Sequence, residues 1–121
     1  MSIFMISFSA SAMDHIPDDE IPAVAVAAHA VVQEILNAGV YVVAGGLGDR
    51  RASIVVTDGT ITDGSEPGAV GGLTIVKVPS REEALEWAAK IAVACRCAQE
   101  VWEFGNDPEL ELMIQQAKGQ S

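Results

Sequence analysis

Two histidines, a doubled Thr-Asp-Gly and one pair of arginines are the residues here whose types could carry acid–base or binding chemistry. His29 lies in the run AAHAVVQEIL, which has helical periodicity, about 90° from the centre of its apolar stripe. That position is the edge of a buried face, where a ring touches both a cleft and solvent. An imidazole there either packs at the border or exchanges protons near neutral pH. Thr-Asp-Gly occurs at 57–59 and again at 62–64. Asp58 stands between SIVV and TIT, the setting of a two-residue hairpin loop. Asp63 is open to two readings, a turn aspartate accepting a nearby backbone N–H with Gly64 beside it, or a carboxylate held for chemistry. Glu66 follows closely enough to be a second carboxylate in the same cleft. Arg50 and Arg51 could clamp a substrate carboxylate, or be solvated hairpin charges. His15 sits in a polar loop beside Asp14 and Pro17.

Other combinations carry less. Cys95 and Cys97 form C-R-C, neither the CxxC redox spacing nor half of a zinc knuckle. They read as reduced packing residues, which suits a cytoplasmic protein. The segment Gly45-Gly46-Leu47-Gly48 lacks the lysine and helix start of a phosphate loop, and a strand turn explains it. No two-histidine, one-carboxylate spacing supports a metal, and nothing points to a cofactor.

These side chains must be placed by a chain of 121 residues, half of them hydrophobic, enough for one domain with its own core. With 17 acidic and 7 basic residues the formal charge is −10, so nucleic acid and anionic membrane are poor partners. The opening MSIFMISFSASAM has no basic residue before it, and Arg50 is the first in the chain. It therefore reads as a first strand rather than a secretory leader. No apolar run reaches the roughly 20 residues needed to span a bilayer.

The pattern predicts a strand at 3–8, a loop at 11–22 and a helix from about Pro22 to Asn37, stopped by Gly39. Its stripe is Val24, Ala28, Val31 and Ile35, with Ile21 and Val32 alongside. VYVVAGG is a second strand, ASIVVTDGTITDG a strand, turn and short return, and GGLTIVKV another strand. PSREEALEWAAKIAVACRCA is a helix with a Ser80–Glu83 capping box and an apolar face of Ala84, Leu85, Trp87, Ala88, Ile91 and Cys95. EVWEF is a last strand, broken by Asn106-Asp107-Pro108. ELELMIQQ is an amphipathic tail that could dock on its own domain or on a partner. The order β-α-β-β-β-α-β, with one small extra hairpin, is the α+β, ferredoxin-like split βαβ plan with an antiparallel sheet. IFMISF, VYVVA and LTIV are apolar on both alternating faces, yet two helices cover only one face. A second copy packing sheet to sheet is the simplest cover, so a homodimer is expected.

The runs AAHAVVQEILNAGVYVVAGGL, VVTDGTITDG, VGGLTIVKVPSREEALEWAAKI and EVWEF together resemble the YCII-related family, also called DGPF-domain proteins. The resemblance makes residues 1–105 the family domain and 106–121 a C-terminal tail. It implies a ferredoxin-like monomer that pairs into a dimeric α+β barrel. It also implies a pocket for a small organic molecule between helices and sheet. A histidine of the first helix would lie there near an aspartate of the T-D-G motif. Carried over, these are His29 as general acid/base and Asp63 as the group that orients it; Arg50, Arg51 and Glu66, read above from residue type and place alone, stand beside them as candidate ligand contacts. The chemistry so implied is cofactor-free proton transfer of the isomerase or lyase type; the alternative is a dimer that binds a small ligand without turnover. After the motif this chain reads TDGSEPGAVGG, where the family reads T-D-G-P-F followed by small residues and a Lys-Glu pair.

Overall fold

A computed structural model describes residues 1–47 and 52–119. It is an α+β fold with strands β1 (Ser2–Ser9), β2 (Tyr41–Gly46), β3 (Ser53–Val55), β4 (Ile61–Asp63), β5 (Val70–Val78) and β6 (Glu100–Glu103). The helices are α1 (Ile21–Asn37), α2 (Arg81–Cys95) and α3 (Pro108–Gly119). Four strands form one antiparallel sheet in the order β2-β5-β1-β6, and β3 pairs with β4 in a separate hairpin.

The core lies between this sheet and the layer of α1 and α2. Phe4 and Ile6 of β1 meet Val76 and Val78 of β5 on the covered face, and all four are buried. Val31 and Ile35 of α1 and Ala84, Ala88 and Ile91 of α2 close over them. Each large aliphatic side chain removed from water here contributes on the order of 2 kcal/mol. The α2 face turns slightly from the expected one: Ala94 is buried, while Leu85 is 44% exposed. Trp87 is half-buried beside Lys90, whose ammonium lies 5.6 Å from the ring centre.

The helix ends follow their sequence signals. Ser80 accepts the Glu83 amide at 3.2 Å, satisfying one of the donors a helix start leaves open. At the end of α1, Gly39 takes a φ of +75° and Val40 donates to the Ile35 carbonyl, a left-handed close that glycine adopts without strain. Helix α2 closes the same way with a side chain present, Arg96 at φ +57°. Arg96 pairs with Glu20 in the 3₁₀ turn before α1. Lys90 bridges to Glu34 at 2.8 Å, tying α2 to α1. Both pairs are half-exposed, so each adds at most about 1 kcal/mol.

The second face of the sheet has no covering element among the described residues. Met5 stands in register with Ile75 and Trp102, and Val43 with Ile75. Trp102 is 57% exposed and Val43 45%. Helix α3 contains no buried residue.

The tip of the β3–β4 hairpin differs from the two-residue loop expected at Asp58-Gly59. Val56 donates to the Thr60 carbonyl and Gly59 to that of Val56, so Thr57, Asp58 and Gly59 together form the loop, with Gly59 at φ +90°. This is a type I turn followed by a left-handed residue, the usual three-residue hairpin. Asp58 accepts the Thr60 amide at 2.9 Å. The hydrogen bonds from Thr60 hold its carboxyl below the ordinary aspartate value.

Candidate functional site

The cleft between α1 and the β2–β5 side of the sheet encloses about 420 Å³. From α1 it is lined by Ile21, Val24, Ala25, Ala28, His29, Val31 and Val32. The sheet contributes Tyr41, Ala44, Gly45 and Gly46 from β2, Leu73 and Thr74 from β5, and Phe8 from β1. Met13 completes the wall, and Ile91 and Cys95 of α2 close the back. The space exists because the residues bordering it are small: Ala25, Ala28, Ala44, Gly45 and Gly46 leave open what larger side chains would fill. Clefts of this size between helix and sheet are common places for small ligands, so this one is the candidate site.

The polar groups in this wall are few. His29 is exposed on α1, at the border position that its helical phase predicts. Tyr41 is 38% exposed, at the start of β2, and Thr74 is buried on the covered face of β5. Cys95 is a buried free thiol, and burial, with Cys97 adding to it, pushes its pKa up. It therefore meets the cleft as a neutral, weakly reactive SH group. Burial also raises the Cys97 thiol, opposed in part by a hydrogen bond from Gln99. Among the described residues that line the cleft there is no Lys, Arg, Asp or Glu.

Among the described residues expected to carry chemistry, His29 alone lines the cleft. Asp63 ends β4, in register with Ser53, and is exposed. It belongs to the separate hairpin sheet and is not part of the cleft wall. Glu66 is exposed in the connection from β4 to β5, and it too lies outside the wall. Arg50 and Arg51 fall outside the described residues. His15 is exposed in the turn region before α1 and does not line the cleft. Among the described residues, no group of three or more His, Cys, Asp or Glu is placed to hold a metal ion.

Residue types alone did not single out Tyr41, Thr74 or Gly46, because strand periodicity assigns a residue to a face and says nothing of a gap in the layer above it. The signal that could have found them is the cluster of small residues on α1 meeting a strand that ends in Ala-Gly-Gly. The chain matches no protein-family model. No curated protein matches it either. The functional reading therefore rests on the cleft itself and on the residues around it. No helix among the described residues is long and apolar enough to cross a membrane.

Proposed function

We propose that this chain is a small-ligand-binding protein that works as a homodimer of the YCII-related type, with the α1–sheet cleft as its binding site. The observation that carries the reading is a cleft of about 420 Å³ whose wall is apolar except for a few groups, with His29 at its border. Pockets of this size, mostly hydrophobic with a few placed polar groups, are the usual form of sites for small organic molecules. His29 is the one imidazole in the wall, and it would exchange a proton with a bound carbonyl or hydroxyl compound without a cofactor. That makes the leading reaction class a cofactor-free isomerisation or elimination.

Several features support the ferredoxin-like, dimeric part of the proposal. Strand β5 lies between β1 and β2, so the β1-α1-β2 unit is split as that plan requires. The uncovered sheet face carries Met5, Ile75, Val43 and Trp102 in one continuous patch. Apolar patches of this kind mark association surfaces, and a second copy would bring an identical patch to it. Two free cysteines fit the reducing cytoplasm.

A second reading, binding without turnover, is favoured by the place of Asp63 in the hairpin sheet rather than in the cleft wall. A catalytic imidazole is ordinarily oriented by a neighbouring group. The two readings separate in one experiment. Small uncharged ketones are screened by amide NMR, and a binder is then incubated in D₂O with wild type and His29→Ala. Turnover appears as deuterium entering the carbon next to the carbonyl with wild type and not with His29→Ala. Binding without deuterium uptake selects the non-catalytic reading, and amide shifts that avoid Val24, Ala28, Tyr41 and Thr74 refute the site. Sedimentation of wild type against Trp102→Glu tests the dimer: a wild type that is monomeric at micromolar concentration would defeat it.

A further inference from the structure

Glycine inside a strand weakens it, having no side chain to pack and much backbone freedom to lose. Two local needs account for most of the described glycines. Gly39, Gly59, Gly64 and Gly68 adopt positive φ. Gly71 and Gly72 have neighbours so close that a Cβ would collide with Ala10 or with the Phe8 ring. Gly46 meets neither need. It lies within β2, in register with Gly72, and its φ is not positive. Apart from its own chain neighbours, no atom of the described residues comes within 4 Å of where its Cβ would stand.

What Gly46 does border is the cleft. Ala44, two positions earlier on the same strand, stands in register with the buried Thr74. Alternation along the strand then places Ala44 and Gly46 on the sheet face that α1 covers. A side chain at position 46 would therefore project into the space that Ala25 and Ala28 leave open on the opposite wall. Among the described residues nothing requires a bare backbone here; close approach by a molecule in the cleft would.

We infer that Gly46 is a specificity-determining residue of the cleft, the point where an uncharged part of the ligand lies directly against the β2 backbone. The inference rests on the ligand-binding reading above and deepens it. The charge selection follows from the wall. It holds no Lys, Arg, Asp or Glu among the described residues, so an ionised group buried there would lose its hydration without gaining an oppositely charged partner from those side chains. The net charge of −10 disfavours anions further.

Two fluorescent probes that differ by one sulfonate test this: uncharged N-phenyl-1-naphthylamine and anionic 8-anilino-1-naphthalenesulfonate. Each is titrated into wild type, Gly46→Ala and Gly46→Val, with thermal melts of all three. Valine is a better strand residue than glycine, so Gly46→Val should melt at or above the wild-type temperature. The same change should weaken the uncharged probe at least tenfold, with Gly46→Ala between. Wild type should favour the uncharged probe over the sulfonate at least tenfold. Equal binding of the uncharged probe to wild type and Gly46→Val overturns the role of Gly46 while leaving the ligand-binding reading standing. Equal affinity of wild type for the two probes overturns the charge selection. A wild type that binds neither probe removes both this inference and the ligand-binding reading. Should Gly46→Val fail to fold, the space argument is already wrong, and unchanged binding by Gly46→Ala overturns it independently.

Discussion

Replacing Gly71 by alanine should destabilise this protein more than the same change one residue later, although both glycines are buried in β5. A Cβ on Gly71 would stand 2.6 Å from the Ala10 Cα, 2.8 Å from the Ser9 carbonyl oxygen and 2.9 Å from the Ala10 nitrogen. All three are backbone atoms. They belong to Ser9, the last residue of β1, and to Ala10 just after it, where the register with β5 already shifts between Phe8 and Ser9. Carbon–carbon contacts settle at about 3.5–4.0 Å, so this backbone must retreat by roughly 1 Å. Moving it strains the Ala10 amide bond to the Ala69 carbonyl, 2.9 Å long. A Cβ on Gly72 meets the Phe8 ring instead, at 2.4 Å from Cζ. The ring can swing about its side-chain torsions toward the open cleft it lines. Overpacking costs about 1–3 kcal/mol, and alanine recovers about 0.4–1 kcal/mol over glycine through the unfolded chain. The expected net losses are roughly 2 kcal/mol for Gly71→Ala and under about 1 kcal/mol for Gly72→Ala. In a domain of this length 1 kcal/mol corresponds to a melting shift of roughly 3–5 °C. Thermal and urea denaturation followed by circular dichroism reads both variants. Adding Phe8→Leu to Gly72→Ala should cost less than Phe8→Leu in the wild type, because the collision is gone. Equal stability of the two glycine variants, or the reverse order, would refute the close-contact reasoning.

Two further outcomes follow from the helix end and the hairpin. Arg96 holds a left-handed conformation that costs a residue with a Cβ about 1–2 kcal/mol. Arg96→Ala and Arg96→Gly both lose the Glu20 pair, so Arg96→Gly should be the more stable of the two by about 1 kcal/mol. Urea denaturation of the two variants side by side would expose an error if alanine were equal or better. For Asp58, the hydrogen bonds from Thr60 lower the folded pKa from 3.8. A depressed folded value means that the carboxylate supports the hairpin above the unfolded value, and that support fades as pH falls through the folded one. The Thr60 amide should therefore titrate by NMR with a midpoint below 3.8, and Asp58→Asn should abolish the titration. A midpoint at or above the ordinary aspartate value would contradict the turn geometry.

Local signals carried most of the fold. Ser80 and Glu83 start α2 as a capping box should, and Gly39 ends α1, because such interactions span only a few residues. The two-sided apolarity of β1 and β5 also foretold a sheet with one face left uncovered. What lay beyond reach needed contacts between distant segments. Nothing near Leu85 indicates that α2 is rotated to bury Ala94 instead. The length of the loop around Asp58 depends on which residues of β3 and β4 pair, a choice made across the hairpin. For the site, the helical phase of His29 placed it correctly at a border. The approach of Asp63 to His29 is set by where a whole hairpin sits relative to the sheet, which turn chemistry does not encode. Gly45 and Gly46 close β2 as the run VYVVAGG implied, and they pair with Leu73 and Gly72; that they also border a cleft is a contact strand pattern does not encode.

The two outer strands of the sheet bear on how this chain avoids uncontrolled self-assembly. A sheet of four strands ends in two rows of backbone donors and acceptors, and such rows can recruit further strands into aggregates. At one border β2 is bulged between Tyr41 and Val43, and a bulge interrupts the regular repeat another strand would need. At the other border β6 is only four residues long and carries a glutamate at each end, Glu100 and Glu103. A copy approaching that border would bring its own acidic pair against this one. Lateral growth is thus discouraged at both sides, while the broad face bearing Met5 and Trp102 stays available. In the proposed homodimer, association through that face would stop when two copies have met, since each would then cover the other.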